Sequence, residues 1–452
     1  MKRLIRQMKS PILLICLMII GFFSGAQELN TQPLSLKACL DLAILNHVKI
    51  KNAKLEEQKM IYKIREVRSS GLPQLNISGT FDDYLKLPTQ LIPGEIFDKP
   101  GEMIPIQFGT KYNVNGNIDA SQLIYSQSYF TGLKSVKELK NLNELNTEKT
   151  KEEIIYQVAQ VYYSAQIILK QKENMLANLS KLEELEKIAG LQNEKGFIRK
   201  IDFDRITVSR VNLMTEINNI ALLYEEQLTM LKYLMGIGQD IAVYLNDTVI
   251  AYNKNISLTN NIDNHIDMKL FEKQKKLAGL EIELNKAAYF PTLTAYGRYG
   301  YQNMQNEFVF WGTDHKWLNT SMIGLSLNIP VFNGFQKNSR IAQSVIQYEQ
   351  IKLQSEDLKN YLGTEVKNVI NKYERSMMTF ETQAGNVKLA ENVFNVTNDL
   401  YQQGLTPLTD LLNAQYELKG AQIAENQSLI QLKLAELDLL KAQGNIVTIL
   451  NK

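Results

Sequence analysis

The residues of this 452-residue chain best placed to do chemistry are two aspartates, Asp202 and Asp410, each six residues after a glycine, Gly196 and Gly404. A carboxylate in the first turn of a helix complements the partial positive charge there, worth about 0.3 to 1 kcal/mol. Several such carboxylates gathered around a narrow opening would instead concentrate cations. Both readings stand at this point. The three histidines, His47, His265 and His315, are scattered and point to no metal site. Neither a phosphate-cradling glycine-rich loop nor a nucleophile elbow is present. The expectation is a protein without catalysis, cofactor or metal.

The aspartates belong to a duplication. Gly196, Asp202 and Gly236 recur as Gly404, Asp410 and Gly444, each pair 208 residues apart. Asn46-His47 and Pro73 recur as Asn264-His265 and Pro291 at a spacing of 218, and Ile124-Tyr125 as Val331-Phe332 at 207. The change of register falls in one place, where the first copy carries an extra proline-dotted stretch, Leu87 to Pro105, which reads as a lengthened loop. Two copies of one supersecondary unit perform the same geometric task twice. The expected division is a signal peptide over 1–26, a first repeat over 27–245, an inter-repeat linker over 246–262 and a second repeat over 263–452.

Lys2, Arg3, Arg6 and Lys9 precede an apolar run from Ile12 to Phe23 and then Ser24-Gly25-Ala26, which predicts export with cleavage after Ala26. Cleavage would leave 46 basic against 48 acidic side chains, a balance unlike the concentrated basic face of a nucleic-acid binder. Cys39 would be the only cysteine left, so packing alone must hold the fold. After residue 26 no apolar run reaches the roughly 18 residues of a spanning helix; an exported chain of this kind either spans an outer membrane as a β-barrel or is periplasmic or secreted, and the strands must decide.

Each repeat must position its aspartate at the end of something long. Residues 106 to 290 and 331 to 406 contain no proline, which permits very long helices. Ile155, Val158, Tyr162, Ala165 and Leu169 step by 3 and 4, as do Leu411, Ala414, Leu418 and Ala421, the spacing of a coiled-coil seam. The seams are alanine-rich and broken by polar residues such as Lys172, compatible with packing around a wet centre or with a dry bundle. Gly132–Gln192 and Gly334–Gln403 predict rods of roughly 90 and 105 Å.

Before each rod the period changes to two. Ile323, Leu325, Leu327 and Ile329 alternate with Met322, Gly324, Ser326 and Asn328, and Leu293 to Tyr301 has a similar texture. The first copy has Leu75 to Phe81 and Tyr112 to Ala120 in the same places. Strand pairs are therefore predicted at about 75–120 and 293–329, each with an aliphatic and a polar face, suited to lipid outside and water inside or to a half-buried soluble hairpin. Trp311 and Trp317 lie between the second pair, near Phe308 and Phe310, as an interfacial aromatic belt or as aromatics packed inside a loop.

At the far ends, Tyr401-Gln402-Gln403-Gly404-Leu405-Thr406-Pro407 predicts a helix stop at a left-handed Gly404 and an immediate restart with Thr406 as N-cap and Pro407 as first helical residue. The first copy keeps Gly196 and Asp202 and lacks the threonine and proline. This Tyr-x-x-Gly turn followed by Asp410-Leu411-Leu412-Asn413-Ala414-Gln415, the duplication, Leu72-Pro73-Gln74-Leu75 and the export signal together resemble the TolC family of outer-membrane efflux channels, over about Leu34 to Ile449.

The resemblance implies a mostly α fold with a small transmembrane β part, three chains forming a twelve-stranded barrel continuous with a periplasmic α-helical tunnel. It implies a passive exit duct of a tripartite efflux pump or type I secretion system, with outer-membrane lipid, a periplasmic adaptor and, through it, an inner-membrane pump as partners. Gly196, Phe197, Tyr401, Gly404, Leu405 and Thr406 would meet the adaptor, and Asp202 and Asp410 would sit just inside the pore mouth. Where the family often carries a basic residue and a further acid, this chain has Thr406 and Asn413, which removes a charged latch built from those two positions. The competing expectation is a periplasmic coiled-coil scaffold or adaptor-like protein without a channel.

Overall fold

The computed structural model describes residues 33–245, 262–310 and 316–451; the expected signal segment, nearly all of the linker, Trp311 and His315 lie outside them. The first repeat runs α1 (Leu36–Asn46), α2 (Val48–Ser69), β1 (Gln74–Asp83), β2 (Thr89–Pro93), β3 (Met103–Gln107), β4 (Tyr112–Ser126), α3 (Gln127–Glu194) and α4 (Lys200–Met235). The second runs α5 (Ile266–Ala287), β5 (Thr292–Gln305), β6 (Leu318–Asn328), α6 (Gln336–Gln402) and α7 (Leu408–Ala442). The stretch read as a lengthened loop is in fact an ordered hairpin, β2 paired antiparallel with β3. Two of its four prolines, Pro93 and Pro105, sit within short strands, where the sequence alone favours a loop.

The rods are real. α3 and α6 contain 68 and 67 residues, about 100 Å each at 1.5 Å per residue. α3 packs on α4 and α6 on α7, while α2 and α5 lie against the rods near the sheet. β4 passes into α3 without a loop, the Ser126 hydroxyl accepting from the Tyr129 N–H. That makes α3 begin five residues before Gly132.

The four predicted strands form one antiparallel sheet in the order β1-β4-β5-β6. Its register aligns Leu75, Ala120, Gly297 and Ile323 in one row and Ile77, Ile118, Tyr299 and Ser321 in another on the same face. The opposite face aligns Asn76, Asp119, Arg298 and Met322, then Ser78, Asn117, Gly300 and Thr320. Arg298 pairs with Asp119 across that polar face. The aliphatic face is bare, with Ile323 94% and Leu75 71% exposed. Among the described residues, β1 and β6 each have one edge without a partner strand.

The largest core lies below the sheet, where Cys39, Leu40 and Ala43 of α1 insert among Ile155, Val158 and Tyr162 of α3, Leu231 and Leu234 of α4 and Leu437 and Leu440 of α7. Cys39 is free, and burial pushes its thiol up to about 12, so it serves as a small core residue. The repeat histidines start helices: His47 Nδ1 accepts from the Lys49 N–H at 3.1 Å and His265 Nδ1 from the Asp267 N–H at 3.2 Å. Beside each cap lies a repeat glycine in left-handed conformation. A Cβ on Gly236 would stand 2.9 Å from the Asn46 carbonyl carbon, and one on Gly444 2.8 Å from that of Asn264. The duplication thus builds the same backbone joint twice.

Candidate functional site

The two helical hairpins end side by side. α3 closes with the Phe197 N–H donating to the Gln192 carbonyl at 2.8 Å and Gly196 N–H to Asn193 at 3.0 Å. α6 closes identically, Leu405 N–H to Leu400 at 2.9 Å and Gly404 N–H to Tyr401 at 3.0 Å. These are Schellman caps, which require a left-handed residue after the helix. Gly196 and Gly404 supply it at φ 75° and 73°.

Apolar side chains hold the two turns together. Ala189, Ile206, Leu408 and Leu412 are buried as one cluster, and Phe394, Leu411, Ala414 and Leu418 as the next; Leu185 and Tyr401 pack against both. A groove of about 710 Å³ runs between the turns, with Phe197, Ile198, Tyr401, Gly404 and Thr406 in its walls. Phe197 and Leu405 point outward, 77% and 70% exposed. The six residues singled out in the two tip motifs therefore gather at one end of the molecule. An exposed phenylalanine and leucine on two rigid turns present a small apolar patch.

Asp202 and Asp410 occupy the first turns of α4 and α7. Their partners differ. Arg199 donates to Asp202 from Nε at 2.9 Å and Nη2 at 3.2 Å, leaving the Asp202 side chain 15% exposed. Burial pushes the Tyr401 hydroxyl upward, and the charge of Asp202 adds to the shift, so the first-repeat aspartate faces the second-repeat turn. Asp410 is exposed and accepts from the Thr406 hydroxyl at 2.9 Å.

That last bond corrects the expected cap. Pro407 holds the cap position and Leu408 begins the helix, with Thr406 one residue further out. A hydroxyl gains more from an ionised carboxylate than from a backbone N–H, and Asp410 is within its reach. Arg199 was legible in principle, because it stands three residues before Asp202, the spacing of neighbours on a helical surface. Leu185 and Ile198 carried no such local signal.

Above the tips the hairpins are laced by polar pairs. Lys419 reaches Glu216 at 2.6 Å, and Asn178 donates to Gln422 at 2.9 Å. The seam residues Leu411, Ala414, Leu418 and Ala421 are buried, as are Ile155, Val158, Tyr162 and Ala165, while Leu169 is half-buried. At the opposite end Phe308 and Phe310 pack edge-on against Phe81 and Tyr112, at centroid distances from 5.4 to 6.4 Å. Of the two tryptophans, Trp317 is 42% exposed and Trp311 lies outside the described residues. Among the described residues no group of three His, Cys, Asp or Glu side chains is arranged to hold a metal ion, and no helix is long and apolar enough to cross a membrane.

Residues 258–445 match the family model described as outer membrane efflux protein. The outer membrane efflux protein BepC of Brucella suis biovar 1 (strain 1330) is 25% identical over 171 residues, 37% of this chain and 36% of that protein, so the alignment spans about a third of its relative's length. Among solved structures, the outer membrane protein VceC of Vibrio cholerae aligns at a TM-score of 0.70 and 14% identity, over 90% of this chain and 96% of that one. The CmeC outer membrane channel of Campylobacter jejuni aligns at 0.70 and 15%, over 91% and 85%. At such identities the likeness shows the fold, here shared along nearly the whole chain.

Proposed function

We propose, for a chain whose residues 258–445 match the family model described as outer membrane efflux protein, that three copies form an outer-membrane channel acting as passive exit duct of a tripartite efflux pump or type I secretion system. The observation that carries this reading is the sheet. It has an exposed aliphatic face, a polar face with a charge pair, and two open edges. Four strands cannot enclose a lumen, since single-chain barrels begin at eight, whereas three chains bring twelve. The aliphatic rows then meet lipid and the Asp119–Arg298 face lines water. α3 and α6, about 100 Å long, carry the passage into the periplasm.

The duct has no chemistry of its own to perform. Its energy comes from an inner-membrane pump through a periplasmic adaptor, and Phe197 and Leu405 are the exposed apolar contacts for that adaptor. Asp410, free of any basic partner among the described residues, supplies the ring of charge at the mouth; Asp202 is paired with Arg199 at 2.9 Å and has Arg205 4.0 Å away. Membrane fractionation with chemical cross-linking tests the assembly. The expected result is a trimer in the outer-membrane fraction. A soluble periplasmic monomer would refute the duct and favour the coiled-coil scaffold.

A further inference from the structure

The two repeats differ most at the end of the sheet away from the helices. In the second repeat the connection after β5 is tied down: Phe308 and Phe310 pack on Phe81 and Tyr112, and Asn306 Oδ1 accepts from the Lys111 N–H at 3.2 Å. In the first, the β1–β4 ladder continues outward. Tyr84 N–H donates to the Lys111 carbonyl at 2.8 Å, Phe108 N–H to Pro88 at 3.1 Å, and β2 and β3 pair beyond them.

One face of this hairpin, Ile92, Ile104 and Ile106, is half-buried; the other is open to solvent. Leu91 and Met103 are each 61% exposed, and the register puts them on one face with Pro93 and Pro105, Thr89 and Gln107 at its base and no charged residue. A two-stranded hairpin alone in water is marginal, so an apolar face of this kind needs a partner. Its prolines, one on each strand, discourage pairing of a further strand along either edge, which leaves side-chain packing on the face. The tip excludes a simple tip-to-tip meeting, because Glu95, Asp98 and Glu102 there outnumber Lys99.

Resting on the duct reading, we propose that the β2–β3 hairpins of the three protomers turn over the outer mouth and pack their Leu91–Met103 faces together as an apolar closure, the charged tips splayed outward. Size permits it. Twelve strands about 4.8 Å apart and tilted near 40° enclose a circle of roughly 12 Å radius. The arm from Tyr84 to Pro93 spans roughly 30 Å when extended, more than enough to reach the axis. The partner is a second copy because every hairpin rises from the same rim, where tethering sets a local concentration in the millimolar range.

The test uses the purified full-length trimer in planar bilayers and on oxidising gels. Replacing residues 89–107 by Asn-Gly should raise single-channel conductance roughly two-fold or more at unchanged trimer yield. The double variant Leu91→Glu, Met103→Glu should do the same, and Leu91→Cys should give disulfide-linked dimers that the parent chain does not. Intact trimers with parental conductance in both variants and no cross-link would overturn the closure alone. A Leu91→Cys thiol shielded from maleimide on whole cells but open in pure trimers would overturn it in favour of another surface partner. A chain that never trimerises would overturn the duct reading, and the closure with it.

Discussion

Four glycines do the same local job and differ in surroundings, which makes them an internal experiment. Gly196, Gly236, Gly404 and Gly444 all sit at φ between 65° and 75° as left-handed helix stops. Substitution by alanine costs each about 1 to 2 kcal/mol of left-handed strain. At the tips a new Cβ meets nothing within 4 Å. At the joints it lands 2.8 to 2.9 Å from the backbone of Asn264 or Asn46, where no side chain can swing aside. Overpacking of that kind adds roughly 1 to 3 kcal/mol. Gly236→Ala and Gly444→Ala should therefore lose about 2 to 5 kcal/mol, and Gly196→Ala and Gly404→Ala about 1 to 2. Heating the detergent-solubilised protein and following loss of folded assembly by gel and far-UV circular dichroism gives the order of stabilities. If the joint variants melt together with the tip variants, backbone crowding at the repeat joint is not what fixes these glycines, and the argument fails.

Three further outcomes are expected. Gly404→Val should lower export in cells lacking their native channel while folded trimer yield holds, because a β-branched residue distorts the turn that presents Leu405; normal export would reduce Gly404 to a cap. Asp410→Ala should reduce cation preference and block by multivalent cations in bilayer recordings, Asp202→Ala should do less, and removing both arginines beside Asp202, Arg199→Ala with Arg205→Ala, should increase cation preference by releasing its charge; equal effects from both aspartates would contradict the pairing seen in the structure. Burial chiefly raises the Glu152 carboxyl to about 7, with Lys269 and Lys441 opposing and Asp267 and Glu148 assisting. A folded pKa above the unfolded value means the folded state holds the proton more tightly, so stability from this group is present below about pH 4 and falls as pH rises through 7. Glu152→Gln should flatten that part of the stability profile between pH 5 and 8, and a slope identical to the parent's would remove Glu152 from the account.

What the chain declares by itself is whatever repeats at short range. The 3-and-4 spacing of Ile155 to Ala165, the alternation of Met322 to Ile329 and the glycine at each helix stop are local, so a rod, a two-faced strand and a Schellman turn are readable without contacts. The duplication adds that each of these occurs twice. What tertiary structure decided lies between residues far apart in sequence. Gly236 meets Asn46 across 190 residues and Gly444 meets Asn264 across 180, contacts that no periodicity encodes. Thr406 left the predicted cap because its neighbour Asp410 competes for the hydroxyl, and Tyr401 senses Asp202 because the two tips share one apolar cluster. The β2–β3 hairpin escaped prediction because proline penalises a strand only where its missing N–H would have bonded, and which edge faces a partner is settled by the pairing of the whole ladder.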